Sequence, residues 1–220
     1  MTLDKIPLEL LVPNMLEATS ETLKIFFLTI ILSIPLGFLV AMARKSKLWF
    51  ISFPTRIYQL LFRGTPLMVQ LIFFMYGPFY IFEVSLYDRF TACILAFAIN
   101  YAAYFGEIFR GGIAAIPKGQ YEAAKVLGYT KLQTFLRIIL PQVVKGVLPS
   151  VGNELMTLVK DTSLAQVIGI IELFRVASNA SSTYSSTVPI LVAALFYLVM
   201  NTVVEVSFKL LERKMDYYKN

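Results

Sequence analysis

Histidine is missing from this sequence, and cysteine occurs once, at Cys93. The first absence excludes histidine-based zinc sites and Ser–His or Cys–His catalysis. The second allows neither an intramolecular disulfide nor a cysteine metal cluster. Charge is also scarce, at 15% of 220 residues, where a soluble domain carries about 25%. Instead, 57% of the residues are hydrophobic, gathered in long runs as in a membrane protein. A net charge of +6 would suit nucleic acid, but the basic residues flank the apolar runs. That placement points to the cytoplasmic face of a membrane, with no nucleic-acid partner.

Residues 25–43 are free of charge. At about 1.5 Å per residue they are long enough to cross a hydrocarbon core of about 30 Å. Arg44, Lys45 and Lys47 close this run, with Trp49 as an interfacial aromatic. Further spans are expected at 64–82 and 91–106, at about 142–160, and, within the charge-free stretch 176–204, from 188 onward. Residues 1–9 are mixed in charge and lack the basic region and cleavage site of a signal peptide, so the first span is expected to stay in the mature protein. No repeat, low-complexity tract or linker divides the chain, which reads as one domain, 1–220, all-α, with about five spans. Basic residues crowd the loops after spans one and three and the tail from Lys209 to Lys219, whereas the other loops offer Arg89 and Arg175. The positive-inside rule then puts the N-terminus outside and the C-terminus in the cytoplasm.

The stretch 118–141 is polar and lies between spans three and four. Lys118 to Leu127 is helix-competent, and Gly128 suits a left-handed C-terminal cap. Thr130 and Gln133 fit a capping box that opens a second helix, which Pro141 then disturbs. Two short helices held against a membrane face make a rigid knob that transmits force from a soluble partner. Pattern alone leaves an ordinary amphipathic loop equally open.

The spacing of Glu122, Ala123, Ala124, Gly128, Ile138, Leu140 and Pro141 resembles the EAA loop of ABC importer permeases. Three more stretches resemble the polar amino acid subfamily: Arg63-Gly64-Thr65-Pro66-Leu67 with Gln70, Glu107-Ile108-Phe109-Arg110-Gly111-Gly112-Ile113 leading to Gly119-Gln120, and Lys160-Asp161-Thr162-Ser163-Leu164. The similarity covers about residues 20–212. It implies the type I importer permease fold, a pair of permease chains, two ATPase subunits on the cytoplasmic side and an external binding protein, all at the cytoplasmic (inner) membrane. It also implies that 118–141 is the coupling loop. Ala123, Ala124 and Gly128 would be small for close docking on the ATPase, and Glu122 would make polar contacts. The sequence contains no Gly-x-x-x-x-Gly-Lys-[Ser/Thr] phosphate loop. ATP and magnesium therefore belong to the ATPase partner, and this chain is expected to be no enzyme and to hold no cofactor or metal. A homodimer is preferred, because one chain carries all these features.

Polar residues within spans are candidates for the substrate site. Glu154 lies roughly 18 Å deep from the inner side and Asn100 roughly 16 Å from the outer side by helical rise. Asp161 shares a helical face with Glu154 and sits about 10 Å further outward. At Gly64-Thr65-Pro66 two readings stand. Either a broken helix restarts at Pro66 with Thr65 as its N-cap and offers backbone N–H groups around Gly64, Thr65 and Leu67 to a carboxylate, or 51–63 runs along the surface and Pro66 simply opens span two. Asn100 suits a substrate contact or an interhelical hydrogen bond. Tyr101 and Tyr104 line the site or merely pack. Glu107 and Arg110 read as a structural ion pair near the inner interface.

A buried carboxylate favours a cation, and the Asn153-Glu154 pair resembles subfamily members that carry basic amino acids. The expected substrate is arginine, lysine or histidine. An anionic site also serves the α-ammonium of a neutral amino acid such as glutamine or cystine. An intramembrane enzyme would need a catalytic constellation, and the one acidic pair is about 10 Å apart by helical rise. A channel or secondary transporter would favour inverted repeats and would have no use for the coupling loop.

Overall fold

The computed structural model describes residues 7–84 and 86–215. The expectations for residues 1–6 and for the tail at Lys219 lie outside them. Among the described residues the chain forms α-helices joined by short turns. Four helical stretches are long and apolar enough to cross a membrane, and five if one bent pair counts as a span.

The first helix, α1, covers Leu8–Arg44, well beyond the charge-free run, because a helix continues past the hydrocarbon core wherever its backbone stays bonded. It packs against α4, Arg89–Ala115. The seam is tight. A Cβ on Gly37 would lie 2.6 Å from the Cβ of Phe105, and one on Gly106 would lie 2.5 Å from Cγ1 of Val40. Small residues let the two backbones approach, as helix pairs in membranes require. Asp88, which was not anticipated, caps α4 by accepting from the Thr91 N–H at 2.7 Å.

Between them lie α2, Trp49–Gly64, and α3, Leu67–Phe82, bent by 110° at their junction. The break is real, but its chemistry differs from expectation. Pro66 is itself the residue before the helix, with Leu67 the first helical position. Thr65 does not cap α3; its hydroxyl donates to the Leu61 carbonyl at 2.8 Å and closes the end of α2 instead.

The knob forms as two short helices, α5, Lys118–Val126, and α6, Lys131–Thr134. Gly128 takes the left-handed conformation, φ 79°, and the Tyr129 N–H reaches the Ala124 carbonyl, closing α5. The capping box at Thr130 and Gln133 is present in both directions. From α6 the helix passes through one wide π-turn, Phe135–Ile139, into α7, Leu140–Asp161. Pro141 explains the widening, since its ring displaces the carbonyl four residues back and it has no N–H to donate. The second helix of the knob, α6, and α7 are thus one continuous helical rod, with no loop between them. Gly112 of α4 lets α7 lie close, for a Cβ there would meet Val147 at 2.2 Å.

Beyond α7 a tighter 3-10 segment, Thr162–Ile168, leads to α8, Leu173–Tyr184, and α9, Val188–Met215. α8 was not anticipated. Glu172, fully buried, caps it by accepting from the Phe174 and Arg175 N–H groups, while the Tyr197 hydroxyl of α9 donates to the same carboxylate at 3.0 Å.

Candidate functional site

α4, α7 and the end of α2 enclose an open groove of about 610 Å³. Arg63, Tyr104, Glu107, Gly146, Ser150 and Glu154 line it. α7 runs unbroken from Leu140 to Asp161, so Glu154 and Asp161 do project from one face. Glu154 borders the groove. Arg63 borders it too and holds its guanidinium 5.4 Å from the centre of the Tyr104 ring, a cation–π distance. The groove therefore has an acidic and a basic side chain in one lining. In the sequence Arg63 stood as a basic residue and as the start of the Arg63–Leu67 stretch, not as a site residue; the signal for the site was its place just before the helix break.

The other candidates separate by depth. Tyr104 is partly exposed on the groove wall. Tyr101 is 1% exposed, so it lies behind the groove and cannot touch a ligand there; its hydroxyl donates to Asp161 Oδ2 at 2.8 Å. Asn100 is buried as well. Its amide donates to the Phe62 carbonyl at 2.9 Å and to Gln70 Oε1 at 2.8 Å. Gln70 in turn donates to the Phe62 and Thr65 carbonyls and to Thr65 Oγ1. Both donors of the Asn100 amide are thus spent on the helix break. Gly64 and Thr65 are exposed beside it, and Leu67 is buried. Leu67 and Met68, in the first turn of α3, have no helical acceptor for their N–H groups.

Further along α4 Glu107 and Arg110 form the anticipated ion pair, with the Arg110 Nε donating to Glu107 Oε2 at 2.9 Å and a second contact to Oε1. Arg44 closes the end of α1 by donating to Gln59, whose amide donates to the Ala103 carbonyl. Lys45, just past α1, has its ammonium pushed below the usual lysine range by burial first and by Arg110 second.

On the knob, Glu122, Ala123 and Gly128 are exposed. Ala124 is 1% exposed, so its small size serves packing inside the knob. Val126 and Leu127, by contrast, are 87% and 73% exposed, and Leu132 stands out beside them. This apolar tip was missed, because an apolar residue in a short helix reads as core until its neighbours are placed.

A polytopic helical protein with a charged groove between its helices and a rigid apolar-tipped knob at one end is the membrane part of a transport machine. Residues 33–217 match the family described as binding-protein-dependent transport system inner membrane component, and the chain belongs to it. It is 37% identical to the octopine transport system permease protein OccM of Rhizobium radiobacter, over 90% of this chain and 84% of that one. It is 35% identical to a putative glutamine transport system permease protein, GlnP, of Rickettsia typhi, over 91% and 92%. It is likewise 35% identical to the arginine transport system permease protein ArtQ of Bacillus subtilis, over 93% of each. A solved amino acid ABC transporter with histidines superposes with a TM-score of 0.87 at 34% identity, covering 97% of this chain and all of that one. The fold is that of a type I ABC importer permease, and the chain is a transport subunit, not an enzyme.

Proposed function

We propose that this chain is the permease subunit of an ATP-driven importer for basic amino acids (arginine, lysine or histidine), working by alternating access in the cytoplasmic membrane. One observation carries the substrate reading: Glu154 borders an open groove between α4 and α7 that Arg63 also lines. A zwitterion with a cationic side chain uses both signs. Its α-carboxylate suits Arg63 and the free N–H groups at Leu67 beside Gly64 and Thr65, and its side chain suits Glu154 and Asp161, with Tyr104 on the groove wall holding Arg63.

Charged walls are costly against lipid, so the groove needs a cover. A second copy of this chain is the cover we favour, which makes the transporter a homodimer with the paired grooves as its path. The knob, 118–141, then docks on the ATPase through Val126, Leu127 and Leu132, with Glu122, Ala123 and Gly128 at the rim. ATP and magnesium are held by two such ATPase subunits. The N-terminus faces an external binding protein, and the C-terminus faces the cytoplasm.

The relatives named for glutamine favour a second reading, in which Glu154 meets the α-ammonium of a neutral amino acid. The test is ATP-dependent uptake by the whole importer in proteoliposomes, with arginine and glutamine as competitors. Arginine uptake that Glu154→Gln lowers at least about tenfold, with glutamine a poor competitor, supports the basic reading. Uptake of glutamine in preference to arginine overturns it.

A further inference from the structure

We infer that Tyr101 is a positioning residue for cation selectivity: its hydroxyl fixes the Asp161 carboxylate so that the remaining oxygen serves, with Glu154, as a two-carboxylate seat for a basic side chain. The inference rests on the reading that Asp161 belongs to the substrate site.

Tyr101 cannot act on a ligand directly, because its side chain is buried. Its ring is also held in place. Phe97 lies parallel to it, within 5°, at 6.3 Å between centres, and Tyr104 and Phe105 stand tilted at 6.2 Å each. The hydroxyl at the end of such a ring is a fixed point. It donates to Asp161 Oδ2 at 2.8 Å, across 60 residues of chain. Asp161 needs an external anchor, because it is the last residue of α7, where the helix tightens into the 3-10 segment. Its backbone is still helical, which fixes the face it projects from but leaves the turn of the carboxylate to its partners. A carboxylate has about four acceptor positions, and the Tyr101 hydroxyl takes up one of them, on Oδ2. α7 sets where Asp161 sits relative to Glu154, and the bond from α4 sets which way its carboxylate turns, through a side chain that never meets the substrate.

The chemical consequence is selective. A guanidinium or ammonium side chain gains from a second, well-placed carboxylate, whereas the amide of glutamine gains little. Loss of the Tyr101 hydroxyl therefore weakens arginine more than glutamine, and a role confined to packing would weaken both alike.

The test uses the complete importer, permeases and ATPases together, with competition by arginine and by glutamine against radiolabelled arginine. Tyr101→Phe is expected to lower the arginine-to-glutamine affinity ratio about tenfold, the scale of a hydrogen bond to a charged group. Asp161→Asn is expected to lower it by a similar factor, and the double variant to lower it no further. Asp161→Glu, which moves the carboxylate while keeping its charge, is expected to lower it as well. If Asp161→Asn lowers the ratio and Tyr101→Phe does not, the positioning role is overturned while the site reading stands. If Asp161→Asn leaves the ratio unchanged, the site reading at Asp161 fails and the inference fails with it. Additive losses in the double variant, equal losses for both amino acids in Tyr101→Phe, or an unchanged ratio in Asp161→Glu would each overturn the role.

Discussion

The amide of Asn100 donates to the side-chain carbonyl of Gln70 at 2.8 Å, and in doing so clips the bend between α2 and α3 onto the middle of α4. A second hydrogen bond from the same amide reaches the Phe62 carbonyl at the end of α2. A backbone break away from water needs its freed carbonyls satisfied, and these two side-chain amides supply the partners.

Asn100→Ala leaves the Gln70 and Phe62 oxygens without those donors. The expected cost is about 1–3 kcal/mol, seen as a lower thermal unfolding temperature of the purified complex. Uptake of every amino acid falls together. An unchanged unfolding temperature with a loss confined to arginine would show instead that Asn100 touches the substrate.

The seam between α1 and α4 tolerates no added bulk. Gly37→Val places atoms inside the contact distance of Phe105, and overpacking of this kind costs about 1–3 kcal/mol. Gly111 has nothing near its Cβ direction, so Gly111→Ala leaves the unfolding temperature nearly unchanged. Thermal scans of the two variants side by side check the contrast.

Much of this fold was legible where the cause is local. The charge-free runs marked α1, α4 and α9, and Gly128 with the Thr130–Gln133 box marked the knob, because a left-handed turn and a cap are settled by residues next to each other in sequence. α8 was not legible. Its polar sequence, rich in serine, hid a helix that depends on Glu172, which caps its first turn and is itself held by the Tyr197 hydroxyl. The 110° bend was suggested by Gly64 and Pro66, yet its angle is set by Asn100 and Gln70, more than 25 residues apart by the count of their numbers. Tyr101 and Tyr104 look alike in sequence; only packing puts one behind the groove and the other on its wall.

The apolar tip of the knob carries the next expectation. Leu127→Asp introduces a charge where a hydrophobic side chain stands exposed, on the surface proposed to dock on the ATPase. The purified permease keeps its fold, since Leu127 packs against little, but it co-purifies poorly with the ATPase and substrate-stimulated ATP hydrolysis is lost. Retention of both would show that the knob docks through other residues.

The claim on which the account depends is that a basic amino acid occupies the groove beside Glu154. Ser150 lines that groove and is exposed, while the native Cys93 is buried, so a thiol placed by Ser150→Cys, read on the permease band of the complete importer, reports on the groove. The measurement is its rate of maleimide labelling with and without amino acid. Saturating arginine is predicted to slow labelling, glutamine at the same concentration to leave it unchanged, and Glu154→Gln to abolish the protection. Labelling that is indifferent to arginine in an importer that transports arginine would contradict the account.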